Sequence, residues 1–193
     1  LIGYVLTFIF ETDEPIIIAL VVLFMILMSA WIAMRPLKEK GVYPFVIIFI
    51  SLALSGLAVL FLISQFIVDL PRWFEPSFVV PIAGMIFANS MNTVSLAGER
   101  FFIEKDRGED YLGSRRIALE TALIPQVNAL FAVGLVSLPG MMTGQILSGI
   151  EPLMAARYQI MVMCMIFGSS GISAAVFLYS SKNSFTETRN RFK

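Results

Sequence analysis

PIIIALVVLFMILMSAWIAM, residues Pro15–Met34, carries no charged side chain. As a helix it is long enough to cross the hydrocarbon core of a bilayer, which takes roughly 20 apolar residues. The pattern repeats outward along the chain: Gly41–Val68, Pro76–Gly98, Thr121–Ile150 and Tyr158–Ser181 are also uncharged. With 58% hydrophobic residues, 15% charged residues and a mean hydropathy of +0.83, the chain has more apolar surface than one soluble core of this size can hide. The expected fold is all-α, a polytopic transmembrane helical bundle. It has five full spans plus one partial N-terminal span, with kinked and re-entrant elements near Pro125 and Pro139.

The partial span is Leu1–Phe10, an apolar run that ends against Glu11, Asp13 and Glu14. No basic leader precedes it and no small-residue cleavage site follows, so it does not read as a signal peptide. The expectation is a helix whose upstream half is missing. From there Ile16–Met34 returns, with Trp31 near an interface, and Val42–Val68 goes out. Asp69–Pro76 is a short turn carrying Trp73, and Ser77–Gly98 comes back. Ile117–Leu138 goes out with an interruption at Pro125, Pro139–Arg157 is an outer segment, and Tyr158–Ser181 makes the last crossing.

Charge fixes the orientation. If the helices alternate, all but Arg72 and Arg157 of the 14 basic residues fall on one side of the membrane. Glu11, Asp13, Glu14, Asp69, Glu75 and Glu151 fall on the other. By the positive-inside rule the basic side is cytoplasmic and includes the C-terminus. The chain then reads as one multi-pass domain, residues 1–193, in the cell inner (plasma) membrane. It has a cytoplasmic connector at 99–116 and a cytoplasmic tail at 182–193.

The spans differ in chemistry. Gly41–Val68 and its predecessor are almost purely aliphatic and aromatic. The segments from Pro76 and from Ile117 carry amides, hydroxyls, proline and glycine, which hydrocarbon cannot satisfy. The greasier helices are therefore expected to wrap the polar ones, which enclose an interface or a cavity. Asn89 and Asn92 share a helical face at i,i+3, and Ser95 continues it. Such a stripe can bind a cation or polar solute through side-chain oxygens, or it can hold helices together by hydrogen bonds.

Glu120 follows Arg116 by four residues, so an intramembrane carboxylate with a possible transport role also has a ready helical partner. Asn128 lies three residues past Pro125, whose missing N–H frees the Thr121 carbonyl. Leu138-Pro-Gly-Met-Met-Thr-Gly-Gln-Ile-Leu-Ser-Gly149 breaks a continuous helix while staying uncharged. Its Met141 and Met142 offer thioethers suited to soft metals or to simple packing, and Gln145 adds an amide. The pathway candidates are thus Asn89, Asn92, Glu120, Asn128, Met141, Met142 and Gln145. No catalytic residue, bound cofactor or resident metal site is expected. The chain has no histidine and a single cysteine, Cys164, and it lacks a GxxxxGK[ST] loop, HExxH and Gly-x-Ser-x-Gly. Any ATP hydrolysis would occur on another chain, and this one is not expected to be an enzyme.

Val80-Pro-Ile-Ala-Gly-Met85, Asn89-Ser-Met-Asn92, Glu99-Arg100-Phe101, Ala122-Leu-Ile-Pro125, Val133–Gln145 and Tyr158-Gln-Ile-Met161 together resemble the membrane subunit of the FetB-type iron-export ABC transporters. Plant aluminium-tolerance membrane subunits are related. The resemblance runs over essentially the whole chain and is densest from Val80 to Met163. It implies a permease that pairs with a separate ATP-binding subunit and with a second copy of itself, and that exports a metal ion, iron in the best-attested case. The connector would dock on the ATPase, making Glu99, Arg100, Arg115 and Arg116 the coupling candidates.

One departure concerns the connector, which the family has longer. Here Tyr111-Leu-Gly-Ser114 runs straight into Arg115-Arg116, and the expectation is a break in the chain within Glu104–Arg116. Two rivals remain: a non-transporting scaffold or receptor whose polar helices bind a partner, and an ATP-independent secondary transporter. No nucleic-acid partner is expected.

Overall fold

The computed structural model describes residues 14–37, 40–68 and 75–182. Leu1–Phe10, Glu11, Asp13, most of the Asp69–Pro76 turn and the tail beyond Lys182 lie outside the described residues. Among the described residues six α-helices make up the bundle: α1 (Pro15–Ala33), α2 (Val42–Leu62), α3 (Pro76–Asp106), α4 (Tyr111–Ala132), α5 (Gly140–Leu147) and α6 (Pro152–Ser180). A π-helical turn, Ile63–Ile67, extends α2 and is closed by Val68 N–H donating to the Ile63 carbonyl at 3.0 Å.

The all-α bundle is as expected, but the spans are distributed differently. Among the described residues, four helices are long and apolar enough to cross a membrane: α1, α2 with its π turn, α3 and α6. The fifth expected span, Ile117–Leu138, is not one continuous helix. Its helix begins earlier, at Tyr111, carries Arg115, Arg116 and Glu120, and stops at Ala132. The chain then folds back on the Ala132 carbonyl, which accepts from Leu135, Val136 and Ser137 at 2.8–3.3 Å. Pro125 does not interrupt α4, which continues through it. It sits at an exposed position, so the ring disturbs no packed neighbour and the helix loses one backbone hydrogen bond.

Sequence chemistry explains where helices begin. α1, α3 and α6 each start with proline at the first helical position after a glutamate: Glu14-Pro15, Glu75-Pro76 and Glu151-Pro152. Proline fixes φ there and gives up an N–H that would have no partner. The glutamate places negative charge at the positive end of the helix dipole.

The expected break within Glu104–Arg116 is absent, because the sequence there builds a tight turn. Helix α3 ends in a Schellman motif: Glu109 N–H donates to Glu104 O at 3.2 Å and Gly108 N–H to Lys105 O at 3.0 Å. Gly108 takes φ +91°, a left-handed conformation that costs glycine little. Two residues later the Asp110 carboxylate accepts from Gly113 N–H at 2.8 Å and caps α4. Of residues 99–116, only 107–110 are therefore non-helical. The same device ends α5, where Ile150 N–H reaches Gln145 O and Gly149, at φ +89°, reaches Ile146 O, both at 3.0 Å.

α3 and α6 form the centre of the bundle. Phe87, Phe101, Phe177, Ile48, Leu52, Val94 and Ala97 are buried between them and their neighbours. Close approach is secured by small residues. A Cβ on Gly98 would come within 2.5 Å of Leu37 and 3.2 Å of Phe177. The same contact sets the C-terminal ends of α1, α3 and α6 side by side, so Arg35, Arg100, Lys105, Arg107 and Lys182 share one end of the bundle.

Candidate functional site

The polar interior is a ladder of small hydroxyls. Ser51, Ser55, Ser90, Thr93, Ser169, Ser170 and Ser173 are each no more than 1% exposed. Ser51 and Ser55 donate one turn back along α2, to Ile47 O and Ser51 O, both at 2.7 Å. Between helices, Ser55 meets the Ser173 hydroxyl, and Ser90 donates to Ser169 Oγ at 3.3 Å. Gln126 Nε2 donates to Thr93 Oγ1 at 3.2 Å, while Thr93 Oγ1 itself donates to Asn89 O at 3.0 Å. The ladder thus joins α2, α6, α3 and α4 in turn. Small polar side chains let membrane helices approach closely and hydrogen-bond. None of these hydroxyls, nor Gln126, is among the pathway candidates from sequence; the clustering Gly168-Ser-Ser-Gly-Ile-Ser173 is the signal that marks the α6 serines.

The candidates from sequence are distributed around this ladder. Asn89 is half-buried and its Nδ2 donates to Met85 O at 2.8 Å. Asn92 and Asn128 are exposed on the outside of the chain. The expected wrapping is therefore met on one side only: α1 and α2 pack on α3, while the outer flank of α3 and α4 is open. Glu120 takes the helical partner foreseen for it, accepting from Arg116 Nε at 2.9 Å, and both side chains are well exposed, at 65% and 81%. Glu120 raises the Arg116 pKa above its ordinary value, first through that hydrogen bond and then through its charge.

At the opposite end of the bundle, Met141, Met142 and Gln145 lie on α5, which pairs with the start of α6. Met141 packs against the core. Gln145 Oε1 and, on α6, Gln159 Oε1 are buried without a hydrogen-bond donor.

The basic end is more highly organised. Glu104 is 5% exposed and accepts from Arg100 at 2.8 Å and Arg107 at 2.9 Å. Tyr111 donates its hydroxyl to Leu178 O at 3.0 Å and stacks edge-on with Phe101 at 6.1 Å. The Arg115 guanidinium lies 6.0 Å from the Tyr179 ring centre, and Glu99 is exposed. The ends of α3, α4 and α6 are therefore tied together beside a charged surface. Among the described residues no group of three or more histidine, cysteine or acidic side chains could hold a metal ion. What the site offers a cation is amide oxygen, hydroxyl and thioether.

A family model described as an uncharacterised protein family, UPF0014, matches residues 1–113 and 109–186. The two matches meet at the connector turn. The chain is 34% identical to "UPF0014 membrane protein slr1647" of Synechocystis, over 89% of this chain and 72% of the relative. It is 34% identical to "Probable iron export permease protein FetB" of Escherichia coli, over 99% of this chain and 78% of the relative. It is 30% identical to "Protein ALUMINUM SENSITIVE 3" of Arabidopsis thaliana, over 95% and 71%. The FetB alignment spans 207 positions against a chain of 193 residues, so the relative carries residues with no counterpart here. No solved structure matches the chain.

Proposed function

Because the chain belongs to the UPF0014 family, we propose that it is the membrane-spanning permease subunit of an ABC transporter. Its work is to export a metal ion, iron-like, with ATP hydrolysed by a separate subunit. The observation that carries this reading is the 34% identity to an iron export permease over 99% of the chain. The four described helices long and apolar enough to cross a membrane and the weakly coordinating interior support it: a transported ion must be bound and released, which a dense carboxylate or thiolate cage would hinder.

In this reading Asn89, Asn92, Glu120, Asn128, Met141, Met142 and Gln145 meet the ion along its route. Glu99, Arg100, Arg115 and Arg116 receive the ATPase at the basic end, which faces the cytoplasm of the cell inner membrane together with the C-terminus. Closure of a nucleotide-bound ATPase pair shifts the α3–α4 turn, and the helices re-orient between two states. No cofactor is bound by this chain.

Efflux of iron from vesicles reconstituted with this chain tests the proposal, with and without the candidate ATPase and ATP. Efflux that requires both supports it. Efflux from this chain alone identifies a secondary transporter, and no efflux with assembly intact identifies a scaffold; either result overturns it.

A further inference from the structure

A cavity of about 370 Å³ lies between α1, α2 and the start of α3, within the size range of ligand pockets. Its walls are Ile18, Val22 and Ile26 of α1, Leu60 of α2 and Val79 of α3, all buried. Leu23, Leu57 and Phe61 line it as well and are exposed, so they form a rim that opens on the perimeter of the bundle. Ser64, in the π-helical turn, is the polar residue among the lining side chains, and its hydroxyl already donates to Phe61 O at 3.2 Å.

The cavity is a slot parallel to the helices. Its lining on α1 runs from Ile18 to Ile26, about 12 Å of rise at 1.5 Å per residue, and on α2 from Leu57 to Ser64, nearly as far. Glu14 and Glu75, just before α1 and α3, mark the membrane surface, because a carboxylate is costly in hydrocarbon. Ile18, Ser64 and Val79 therefore lie about one turn below that surface. Ile26 and Leu57 lie near the middle of a hydrocarbon core about 30 Å thick. The slot spans most of one leaflet.

What fits such a space is narrowly defined. A buried water needs two to four polar partners, and one hydroxyl that is already donating does not supply them. An ion meets no charge there. A helix is about 10–12 Å across, and a length of it matching the slot takes up roughly 900 Å³, so a neighbouring helix can cover the rim but not enter. Left empty, the slot forfeits the dispersion contacts of its walls. A single hydrocarbon chain is narrow enough, needs no polar partner, and is supplied at the rim by the bilayer itself.

We propose that the slot binds one acyl chain of a bilayer phospholipid, lying along α1 and α2 with its methyl end between Ile26 and Leu57 and its headgroup end at Ser64. The π turn suits this role. Such turns interrupt α-helices chiefly at functional sites, and this one sets Ser64 and Gln65 where the slot meets the headgroup region, so the apolar walls end where the chain does. The site follows from the membrane-embedded fold and stands independently of the permease reading.

The test is photolabelling of the full chain in phosphatidylcholine vesicles that carry a small fraction of phosphatidylcholine with a diazirine at one acyl terminus. Labelled positions are read by mass spectrometry. Bulk lipid labels exposed perimeter positions such as Phe24 and Leu54; reaching buried Ile26 takes a chain inside the slot. The expected result is labelling at Ile26 in the parent, lost in Val22→Phe and in Val79→Phe, which each put a ring into the slot, with Phe24 and Leu54 labelled as before. An unlabelled Ile26 in the parent overturns the proposal whether or not the variants fold, and so does labelling that persists in both. Labelling that appears only after residues 1–10 are deleted would make that segment the occupant. Labelling only at protein-to-lipid ratios too low for copies to meet would make it a second copy. Either result also overturns the proposal.

Discussion

Gln126 on α4 reaches into the bundle and donates to the Thr93 hydroxyl of α3 at 3.2 Å, with both side chains buried. This is the polar bond that sets the register of the two helices bearing the exposed asparagines. Gln126→Leu removes the donor, and Thr93 keeps its bond to Asn89 O. The expected loss is about 1 kcal/mol, the scale of interhelical hydrogen bonds in membranes, read as a lowered thermal unfolding midpoint in detergent. An unchanged midpoint would show that the bond contributes nothing.

Glycine positions separate packing from flexibility. A Cβ on Gly98 meets Leu37 and Phe177, whereas one on Gly144 meets nothing within 4 Å. Gly98→Ala should destabilise the bundle by about 1–3 kcal/mol through overpacking, and Gly144→Ala should not destabilise it. Yield of monodisperse protein after extraction and its unfolding temperature check both; equal behaviour of the two variants contradicts the packing.

Glu104 is the buried carboxylate between two arginines. Glu104→Gln keeps its shape and removes its charge. A fully buried pair would lose about 3–5 kcal/mol, but Arg100 and Arg107 reach solvent at 34% and 62% exposure. The expected loss is therefore about 1–2 kcal/mol, seen as easier proteolysis near the α3–α4 turn. A variant as resistant as the parent would refute the clamp.

The turn itself can be tested at two residues. Asp110→Ala deletes the cap of α4 and should cost about 0.5–2 kcal/mol. Gly108→Val forces a β-branched residue into the left-handed region at a cost of about 1–2 kcal/mol. Hydrogen exchange at Gly113 and Glu109, whose amides these devices hold, should speed up in the respective variants and stay unchanged at Ser90.

The Arg116–Glu120 pair gives a test of role rather than stability. The raised Arg116 pKa means that any stabilisation from its charge is present throughout the neutral range and is lost only when pH climbs beyond ordinary arginine values. Both groups are exposed, so Glu120→Gln should leave the unfolding midpoint unchanged from pH 6 to 9. A drop in ATP-dependent efflux at constant midpoint would then place Glu120 on the ion's route. Unchanged efflux would remove it.

Much of this fold was legible because hydrocarbon imposes one simple demand, length without charge, and Pro15–Met34, Gly41–Val68, Pro76–Gly98 and Tyr158–Ser181 satisfy it openly. Thr121–Ile150 satisfies it too, yet forms half a helix, a turn and the short α5, because lack of charge says nothing about backbone geometry; Pro139 and the positive-φ Gly134 and Gly149 decide that. The connector misled for the opposite reason. Its Gly108 and Asp110 are ordinary stop and start signals, easily passed over when the family leads one to expect more residues. Within the candidate site, Asn89 and the Glu120 pairing could be placed from helical spacing. The hydroxyl ladder could not, since its bonds join residues as far apart as Ser55 and Ser173, and serine spacing within a helix does not reveal which neighbour it meets.

The turn between α3 and α4 contains no slack. Both of its halves are stitched to helical backbone, one by the Schellman bonds around Gly108 and the other by Asp110, and Tyr111 moors it to the end of α6. A pull at this point cannot be absorbed by a lengthening loop; it must be passed along three helix axes at once. In the permease reading proposed above, the basic end of the protein is a stiff handle for the partner subunit.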